Sequence, residues 1–395
     1  MQAINALGFT NPTPVQQMAI PVAMQGKDIR ACAQTGSGKT LAFVAPILHS
    51  LLNHPPQIRP AVLIVVPTRE LATQVDKVVE EVGKFTDIRN VSILGGANFQ
   101  RQVSLIKSGA QIVCATPGRL LDHLERRTFT LKGITHLILD EADRMLDMGF
   151  LPDITRIMHQ CPPKKQTMLF SATFPPEIQA LVSKLLHEPH SIDISTSTPS
   201  TNVAQIIYPI SRSQKEPLLQ MILANGSIAS ALIFCRTKHG ADHLVNTLRR
   251  WGKSVAVIHS DRTQSERYAA LEGFRERKVQ ILVATDIASR GIDIKDISHV
   301  INFDVPHHPE DYVHRIGRTG RAEASGDAFT LVAPDEEPYL KRIEKFINKT
   351  IPRGVMPDFP YLVPPKLTSK PTGIATGWGK MRRRIPTGRG SRTIR

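Results

Sequence analysis

Short runs of apolar residues alternate with longer segments of helical periodicity along most of the chain. In the first half the apolar runs are "DIRACA", "AVLIVVP", "NVSILG", "AQIVCATP", "THLILDEAD" and "QTMLFSAT". Runs this short and this rich in Val, Ile and Leu, separated by helix-length segments, are typical of strands buried on both faces of a parallel sheet. The first half is therefore predicted to form an α/β domain.

The second half repeats this rhythm after an interruption. Its apolar runs are "SALIFCRT", "SVAVIHSD", "VQILVATD", "HVINFD" and "AFTLVA". Between the two sets lies "STSTPSTNVAQ", residues 195–205, whose Ser, Thr and Pro content indicates a linker. We predict one domain over residues 1–194 and a second over residues 206–365. Because ligands of such sheets bind at the carboxyl ends of the strands, the crevice between the two sheets is the expected site.

The positive charge of the chain is concentrated near its C-terminal end. The 395 residues include 50 Lys and Arg against 35 Asp and Glu, which gives a net charge of +15. Nine of the basic residues and no acidic residue lie in residues 366–395, which leaves +6 for the rest. We predict that this segment, rich also in Gly, Pro and Thr, is a disordered tail with a polyanion as its partner. The alternative is a terminus that only adds solubility.

Cysteine spacing and hydropathy argue against a secreted or membrane protein. The cysteines lie far apart, without the short pair spacings of zinc or redox sites, at Cys32, Cys114, Cys161 and Cys235. We predict reduced, mostly buried thiols. The N-terminus lacks a basic start followed by an apolar run, and no stretch has the length needed to span a bilayer. A cytoplasmic protein without a membrane partner is expected.

A glycine-rich segment, "ACAQTGSGKT", follows the first predicted strand and precedes an apolar helix. Glycines let the backbone turn its N–H groups toward phosphate, while Lys39 adds charge at the outer phosphates and Thr40 offers a hydroxyl to Mg²⁺. Ala33 stands where the P-loop pattern has its first glycine, so a structural turn is the alternative. The predicted phosphate cradle consists of Ala33, Gln34, Thr35, Gly36, Ser37, Gly38, Lys39 and Thr40.

Two acidic residues follow the apolar strand in "LILDEAD". Asp140 is placed to hold Mg²⁺ as in P-loop enzymes, and Glu141 to orient or deprotonate the attacking water. Acids at a strand end are often only solvated loop residues. The P-loop about a hundred residues upstream favours the catalytic interpretation here.

The order of the motifs resembles one family, the DEAD-box RNA helicases. The resemblance runs from about Gly8 to near Pro364. It rests on "AQTGSGKT", "PTRELA" (67–72), "TPGR" (116–119), "DEAD" (140–143), "SAT" (171–173), "ATDIASRGID" (284–293) and "HRIGRTGR" (314–321). It implies two RecA-like domains in tandem that close over ATP, Mg²⁺ and single-stranded RNA.

"GFTNPTPVQQMAIP", at residues 8–21, resembles the adenine-binding motif of the family. The resemblance implies that Gln16 reads the adenine edge, because an amide both donates and accepts hydrogen bonds, and that Phe9 packs nearby. Taken alone, "PTPVQ" is only a helix start punctuated by proline. The aromatic residue that the family usually has further upstream would fall before Met1. Either the start is truncated or adenine is held without that stacking partner.

The resemblance also implies contacts to the RNA backbone that carry no sequence specificity. The implied residues are Thr68, Arg69, Gly95, Gly96, Thr116 and Arg119 in the first domain, and Arg236, Thr237, Gln264, Arg267 and Thr285 in the second. Hydroxyl and guanidinium groups suit phosphate and the 2′-OH. A helix cap, a tight turn or a surface salt bridge is the alternative at each position. Ser260 stands where family members commonly have glycine.

The second half has no GKS or GKT sequence after a strand, so it is predicted to assist at the first ATP site. By resemblance, Gly291 and Asp293 contact ribose and phosphate, and Arg318 and Arg321 brace the γ-phosphate in the transition state. Other residues are expected to couple the domains, namely Asp143, Ser171, Thr173 and His314. A structural histidine is the alternative for His314.

Three functions stay open at this point. The first is an RNA-stimulated ATPase that separates short RNA duplexes or remodels RNA–protein complexes. The second is an ATP-gated RNA clamp or scaffold, which would use the same residues. The third is a DNA helicase or translocase, against which the Gln16 motif and the "DEAD" and "SAT" sequences speak. The compact core and basic tail resemble bacterial RhlE-type members, which implies ribosomal precursors or RNA-decay complexes as partners of a monomer.

Overall fold

The computed structural model of the protein describes residues 2–33, 36–194, 203–224, 228–286, 297–320 and 326–362. These residues form two parallel sheets in succession, each packed against helices. The predicted tail, residues 366–395, and most of the predicted linker lie outside the described residues.

In the described part of the chain, the first sheet has seven strands in the order β3-β4-β2-β5-β6-β1-β7, all paired in parallel. Its strands are β1 Ile29–Cys32, β2 Val62–Val65, β3 Asn90–Ile93, β4 Ile112–Ala115, β5 His136–Asp140, β6 Gln166–Ser171 and β7 His190–Asp193. Alternate residues of β2 enter two different apolar cores, Ile64 one and Leu63 the other. This sheet is therefore buried on both faces, as its apolar runs predicted.

Among the described residues, the second sheet has six strands in the order β10-β11-β9-β12-β13-β8, again all parallel. Its strands are β8 Val203–Pro209, β9 Ala231–Phe234, β10 Val255–Ile258, β11 Ile281–Ala284, β12 His299–Asn302 and β13 Gly326–Val332. Taken in chain order, β8 to β13 occupy the same positions in this sheet as β1 to β6 occupy in the first sheet. The two halves thus share a topology as well as a rhythm.

The helices connect the strands of both sheets. In the first domain they are α1 Gln2–Ala6, α2 Pro14–Met24, α3 Lys39–Asn53, α4 Arg69–Gly83, α5 Phe99–Lys107, α6 Pro117–Glu125, α7 Ala142–Asp147, α8 Leu151–Met158 and α9 Pro176–Leu185. In the second they are α10 Lys215–Ala224, α11 Lys238–Arg250, α12 Gln264–Arg275, α13 Pro309–Ile316 and α14 Glu337–Phe346.

All eleven apolar runs contain a strand, and two further strands were not predicted. Both are edge strands, β7 and β8. Only Ile192 of β7 is buried, so this strand has no apolar run. The strand β8 begins at Val203, and residues 203–205 of the predicted linker therefore belong to the second sheet.

Two observations bear on the expected environment of the protein. Within the described ranges, no helix is both long enough and apolar enough to cross a membrane. The four cysteines are free; Cys114 and Cys235 are buried, while Cys32 and Cys161 are partly exposed. Burial raises the pKa of all four thiols, so none is poised as a thiolate.

Candidate nucleotide site and nucleic-acid interface

The glycine-rich segment forms a tight turn between β1 and α3. Gly36 and Gly38 have φ angles of 86° and 91°, in the left-handed region that glycine adopts at little cost. A β-carbon at Gly38 would lie 2.6 Å from Nε2 of Gln16. The helix α3 begins directly after this turn, at Lys39. The turn therefore directs a helix N-terminus to the carboxyl edge of the sheet, which is the geometry of a phosphate site. Gln34 and Thr35 lie outside the described residues.

Gln16 joins the helix α2 to this turn. Its Oε1 accepts a hydrogen bond from the backbone N–H of Thr13 at 3.0 Å, and its Nε2 donates to the carbonyl of Gly38 at 3.1 Å. One N–H and one lone pair of the amide remain for a base edge. Phe9 is 51% exposed. Gln16 and Phe9, the two residues predicted to bind adenine, therefore both have surface left for a ligand. Gln16 also has a structural role, because it joins α2 to the glycine turn.

A buried lysine and a buried carboxylate face each other at the centre of the site. Nζ of Lys39 lies 3.6 Å from Oδ1 of Asp140, and Nζ has no hydrogen-bond partner within the described residues. Burial raises the pKa of Asp140 to about 6, against the opposing influence of Lys39. A buried ammonium with open donors fits phosphate, and a buried carboxylate of this kind fits a cation. The residues present therefore suit a nucleotide phosphate with a divalent metal ion.

The neighbouring Glu141 is held in a special conformation. Its φ of 55° is left-handed, which is uncommon for a residue other than glycine and recurs at functional sites. Its N–H donates to Oδ1 of Asp140 at 2.9 Å, and its carboxylate pairs with Arg144. Burial alone would raise the pKa of Glu141, but Arg144 and Lys39 lower it to about 2. Glu141 is therefore an ionised, oriented acceptor; its partner Arg144 was not predicted, although the i,i+3 spacing allows it.

Asp143 connects this segment to the "SAT" residues. Its Oδ2 accepts hydrogen bonds from the N–H groups of Ala172 and Thr173 and from the hydroxyl of Thr173, at 2.9 to 3.1 Å. Its own N–H donates to the hydroxyl of Ser171 at 3.0 Å. The acidic segment after β5 and the loop after β6 therefore form one hydrogen-bonded unit.

The second domain places His314 near the acidic segment that follows β5 of the first domain. Burial and then Arg144 lower the pKa of His314 to about 4, while Asp143 and Glu141 oppose the shift. The second-domain residue Arg318 also lies close enough to lower that pKa. His314 is therefore neutral at pH 7 and faces the acidic segment of the first domain. Of the other residues predicted to act here, Gly291, Asp293 and Arg321 lie outside the described residues.

Arg315, the first arginine of the "HRIGRTGR" segment, has a different role. Its guanidinium makes a bidentate pair with Asp286, at 2.6 and 2.7 Å, and also donates to Asn302 and to the carbonyl of Asp304. It is 2% exposed. Arg315 is thus a structural residue of the second sheet, whereas Arg318 lies beside His314.

The predicted RNA contacts of the first domain gather on one edge of its sheet. A β-carbon at Gly96 would lie 2.5 Å from the guanidinium of Arg69, so that side chain lies over the Gly95–Gly96 turn. Arg119 donates to the carbonyl of Ala97 in the same loop at 3.0 Å. The cap interpretation holds for Thr68, whose hydroxyl accepts from Leu71 N–H, while Thr116 starts α6 without a side-chain cap bond.

The predicted contacts of the second domain are partly engaged within the protein. Thr237 caps α11 by accepting from Gly240 N–H at 3.0 Å, and Thr285 is buried at the end of β11. Arg236 donates to Glu336 at 2.8 Å. These positions lie at the carboxyl edge of the second sheet, where the sequence placed them, and their RNA contacts stay predictions.

Gln264 and Arg267 contact the first domain. Arg267 pairs with Glu70 at 2.8 Å, and Nε2 of Gln264 donates to the same carboxylate oxygen at 3.3 Å. Glu70 and Arg267 are both largely buried. Both residues join the domains through Glu70 in this structure, and their RNA contacts stay predictions. Glu70, adjacent to Arg69, was not predicted, because its partner is nearly two hundred residues away in sequence.

Comparisons with known proteins match both halves of the chain. The DEAD/DEAH box helicase family matches residues 13–181, and the helicase conserved C-terminal domain matches residues 213–323. The DEAD-box ATP-dependent RNA helicase CshA of Bacillus subtilis (strain 168) is 40% identical over 354 residues, covering 89% of this chain and 71% of that relative. CshA of Bacillus anthracis is also 40% identical over 354 residues, covering 89% of this chain and 67% of the relative. The chain belongs to the DEAD-box family of ATP-dependent RNA helicases.

Two solved structures match most of the chain. S. cerevisiae Dbp5 bound to RNA and ADP BeF3 has a TM-score of 0.80 at 30% identity and covers 88% of this chain and 91% of Dbp5. Mss116p bound to ssRNA and AMP-PNP also has a TM-score of 0.80, at 29% identity, and covers 89% of this chain and 75% of that one. The expected tandem of RecA-like domains is therefore confirmed.

Two departures from the DEAD-box pattern are accommodated locally. Ala33 is 1% exposed and continues the strand direction, since its N–H donates to the carbonyl of Ser171 at 2.9 Å. Ser260 has no left-handed backbone, so glycine is not required there. The loop around Ser260 is held instead by the buried His259, which contacts Asp242 at 3.0 Å.

Proposed function

We propose that this protein hydrolyses ATP in the crevice between its two domains when RNA is bound, and uses the cycle to separate short RNA duplexes or remodel RNA–protein complexes. One observation supports this above all. His314 of the second domain is close enough to Asp143 and Glu141 of the first for their charges to act on its pKa, and nearby Nζ of Lys39 has no hydrogen-bond partner among the described residues. ATP bound at Lys39 would therefore touch both domains, and its hydrolysis would change how they are held together.

The proposed ATP site divides its roles among neighbouring residues. Gln16 and Phe9 hold adenine, the turn Gly36–Gly38 surrounds the phosphates, and the family resemblance assigns Gly291 and Asp293 to ribose and phosphate. Thr40 and Asp140 would hold Mg²⁺, which neutralises phosphate charge when bound. A hydroxyl and one carboxylate are a typical protein share for Mg²⁺, because this ion keeps waters and substrate oxygens as its other ligands.

The proposed chemistry rests on one base and two kinds of cation, ammonium and guanidinium. Glu141 is ionised and can therefore orient the attacking water and accept its proton, while Arg144 and Lys39 lower its pKa and so weaken it as a base. Lys39 holds the outer phosphates, while Arg318 and Arg321 stabilise the charge that develops during transfer. The hydrogen-bonded unit of Asp143, Ser171 and Thr173 would communicate the phosphate state to the rest of the cleft.

We propose that RNA binds across both sheets through its backbone, without sequence specificity. The loop that brings Arg69 to Gly95–Gly96 and Arg119 to Ala97 presents guanidinium and N–H groups of the kind that bind phosphate. We further propose that the protein acts in the cytoplasm as a monomer, with ribosomal precursors or RNA-decay complexes as targets. The resemblance to bacterial RhlE-type members supports these partners, and the hydroxyl of Thr40 and the carboxylate of Asp140 support magnesium.

Steady-state ATP hydrolysis with and without RNA tests the proposal. We expect turnover that requires Mg²⁺ and rises with single-stranded RNA more than with DNA of the same sequence. Separation of a short fluorescent RNA duplex with ATP distinguishes a helicase from an ATP-gated clamp, which would bind RNA without separating strands. Equal stimulation by DNA would favour a translocase.

The pair of Glu70 and Arg267 is expected to stabilise the closed, RNA-bound form. Changing either residue to alanine leaves a buried charge without its partner, which destabilises the contact between domains. We expect RNA affinity in the presence of a non-hydrolysable ATP analogue to fall at least ~10-fold, equivalent to about 1.4 kcal/mol. Nucleotide-free RNA binding should change little.

The control for this pair is Glu80→Ala, an exposed glutamate on the same helix α4. A double-mutant cycle isolates the coupling, because the combined variant should lose little more than either single one. Additive losses in the cycle would mean that the two residues act on RNA separately.

Removing residues 366–395 is expected to weaken RNA binding and its dependence on salt. The segment carries nine basic residues and no acid, and each phosphate that the protein no longer neutralises lowers the slope of log K against log salt by about 0.7 for a single strand. The measurement is RNA affinity over a range of salt concentrations. A full-length variant with those nine residues changed to serine is the control. If the slope is the same after deletion, the tail only adds solubility.

A further inference from the structure

The second sheet has a counterpart of the lysine at the ATP site. Lys39 is the first residue of the helix after β1, and Lys215 is the first residue of the helix after β8, which occupies the same place in its sheet. Asp140 ends β5, and Asp304 follows β12, the strand equivalent to β5. The lysine-to-carboxylate distances are 3.6 Å in the first domain and 3.4 Å in the second. The shared topology therefore places the same two groups together twice.

The two lysines differ in what their ammonium groups contact. In the part of the chain that the structure describes, Nζ of Lys39 has no hydrogen-bond partner. Nζ of Lys215 donates at 2.6 Å to the carbonyl of Phe303 and at 2.6 Å to Oε2 of Glu336. Lys215 is 1% exposed and Glu336 is fully buried. The lysine of the second domain thus already has an anion bound to it.

Glu336 receives the set of donors that a phosphate pocket provides. Besides the ammonium of Lys215, its carboxylate accepts from the guanidinium of Arg236 at 2.8 Å. It also accepts from the N–H groups of Val305 and Ala333, at 3.3 and 3.0 Å. An ammonium, a guanidinium and two backbone N–H groups around one buried anion are the elements by which proteins hold phosphate.

We propose that the second domain retains an anion pocket equivalent to the phosphate site of the first, and that the carboxylate of Glu336 is its permanent occupant. Glu336 lies in the loop after β13, so the chain closes the pocket with its own side chain. This occupant excludes a nucleotide phosphate from the pocket. The pair with Glu336 also directs the guanidinium of Arg236 toward the interior of the domain. Arg236 is adjacent to Thr237, the N-cap residue of α11.

An ordinary buried salt bridge is the competing interpretation, and the two differ in what happens when the carboxylate is removed. Glu336→Ala would vacate a cavity lined by Lys215 and Arg236, which inorganic phosphate should fill. Glu336→Gln keeps the volume occupied while it removes the charge, so it should be destabilised without any response to phosphate. Both variants are made in a Lys39→Ala background, so that phosphate bound at the first domain does not contribute.

The measurement is thermal unfolding in phosphate against chloride at equal ionic strength, with hydrogen exchange to locate the effect in the second domain. For Glu336→Ala we expect phosphate to raise Tm by about 2 to 4 °C relative to the Lys39→Ala parent. Glu344→Ala is the matched control, since it removes the glutamate that pairs with Arg353 in the same domain without exposing a buried lysine. If Glu336→Ala does not fold in chloride, its refolding yield in phosphate is compared instead.

Phosphate stabilisation confined to Glu336→Ala supports the pocket. Equal responses of Glu336→Ala, Glu336→Gln and Glu344→Ala would overturn it, as would no response of Glu336→Ala in either stability or refolding. The test measures stability alone, so its outcome does not depend on the assignment of RNA or of ATP turnover.

Discussion

Replacing Glu141 by glutamine is expected to lower kcat for ATP hydrolysis by a factor of about 10² to 10⁴, the usual contribution of a general base. The amide keeps the size of the side chain and one oxygen for Arg144, so the left-handed turn at residue 141 should persist. The substitution removes the ability to accept a proton from water, together with the negative charge that pairs with the buried Arg144. ATP and RNA should therefore still bind together and hold the domains closed.

The measurement pairs steady-state turnover at saturating RNA with RNA affinity in the presence of ATP. Glu125→Gln is the control, because that glutamate is exposed and pairs at the surface with Arg156. Normal turnover in Glu141→Gln would remove Glu141 as the base. Loss of ATP-dependent RNA binding would instead make Glu141 a structural residue of the acidic segment.

The sequence was sufficient for most of the fold because parallel strands buried on both faces must be apolar throughout. The strand β2 is the clearest case, with every residue of Val62–Val65 buried. The strands β7 and β8 escaped prediction because each lies at a sheet edge, where one side has no neighbouring strand among the described residues. Only some residues of these two strands are buried, so neither strand has a continuous apolar run. The first residues of β8 also belong to the polar segment that was predicted as the linker.

From the residues alone, the site was predictable only where its parts are adjacent in sequence, whereas the family resemblance supplied distant groupings such as Asp143 with Ser171 and Thr173. The turn before Lys39 and the acids after β5 each bring several functional groups together within a few residues. Glu70 with Arg267, and Lys215 with Glu336, depend on how distant elements pack, and no local pattern marks them. Such pairs arise when buried charges must find partners, so they become visible only after the fold is known.

Arg315 and Arg318 make the same point within one motif. They are three residues apart and equally basic, yet Arg315 is paired with Asp286 whereas Arg318 lies beside His314 at the first domain. Their residue type gives no reason to separate them, and only the family resemblance assigned Arg318 to the γ-phosphate. The structure does, because the carboxylate of Asp286, just after β11, holds both sides of the Arg315 guanidinium inside the second domain.

Changing Arg318 to alanine is accordingly expected to reduce kcat by about 10³ to 10⁵, the range of an arginine finger. Its guanidinium comes from the second domain, so it can stabilise charge on the γ-phosphate only when the domains are closed. The KM for ATP should change far less than kcat, because binding relies on Lys39 and the glycine turn. Turnover and ATP affinity measured on the same preparation test this split.

Arg315→Ala is the matched control, and it should fail in a different way. Removing a buried bidentate partner of Asp286 costs about 3 to 5 kcal/mol of stability, so Tm should fall while the folded fraction keeps measurable turnover. Arg318→Ala should show the reverse, with lost turnover and a smaller change in Tm. If both variants lose stability alike and keep kcat, then neither arginine serves the γ-phosphate, and the transition-state charge must be met by first-domain groups and Arg321. The contrast between two arginines three residues apart therefore decides whether Arg318 serves the γ-phosphate.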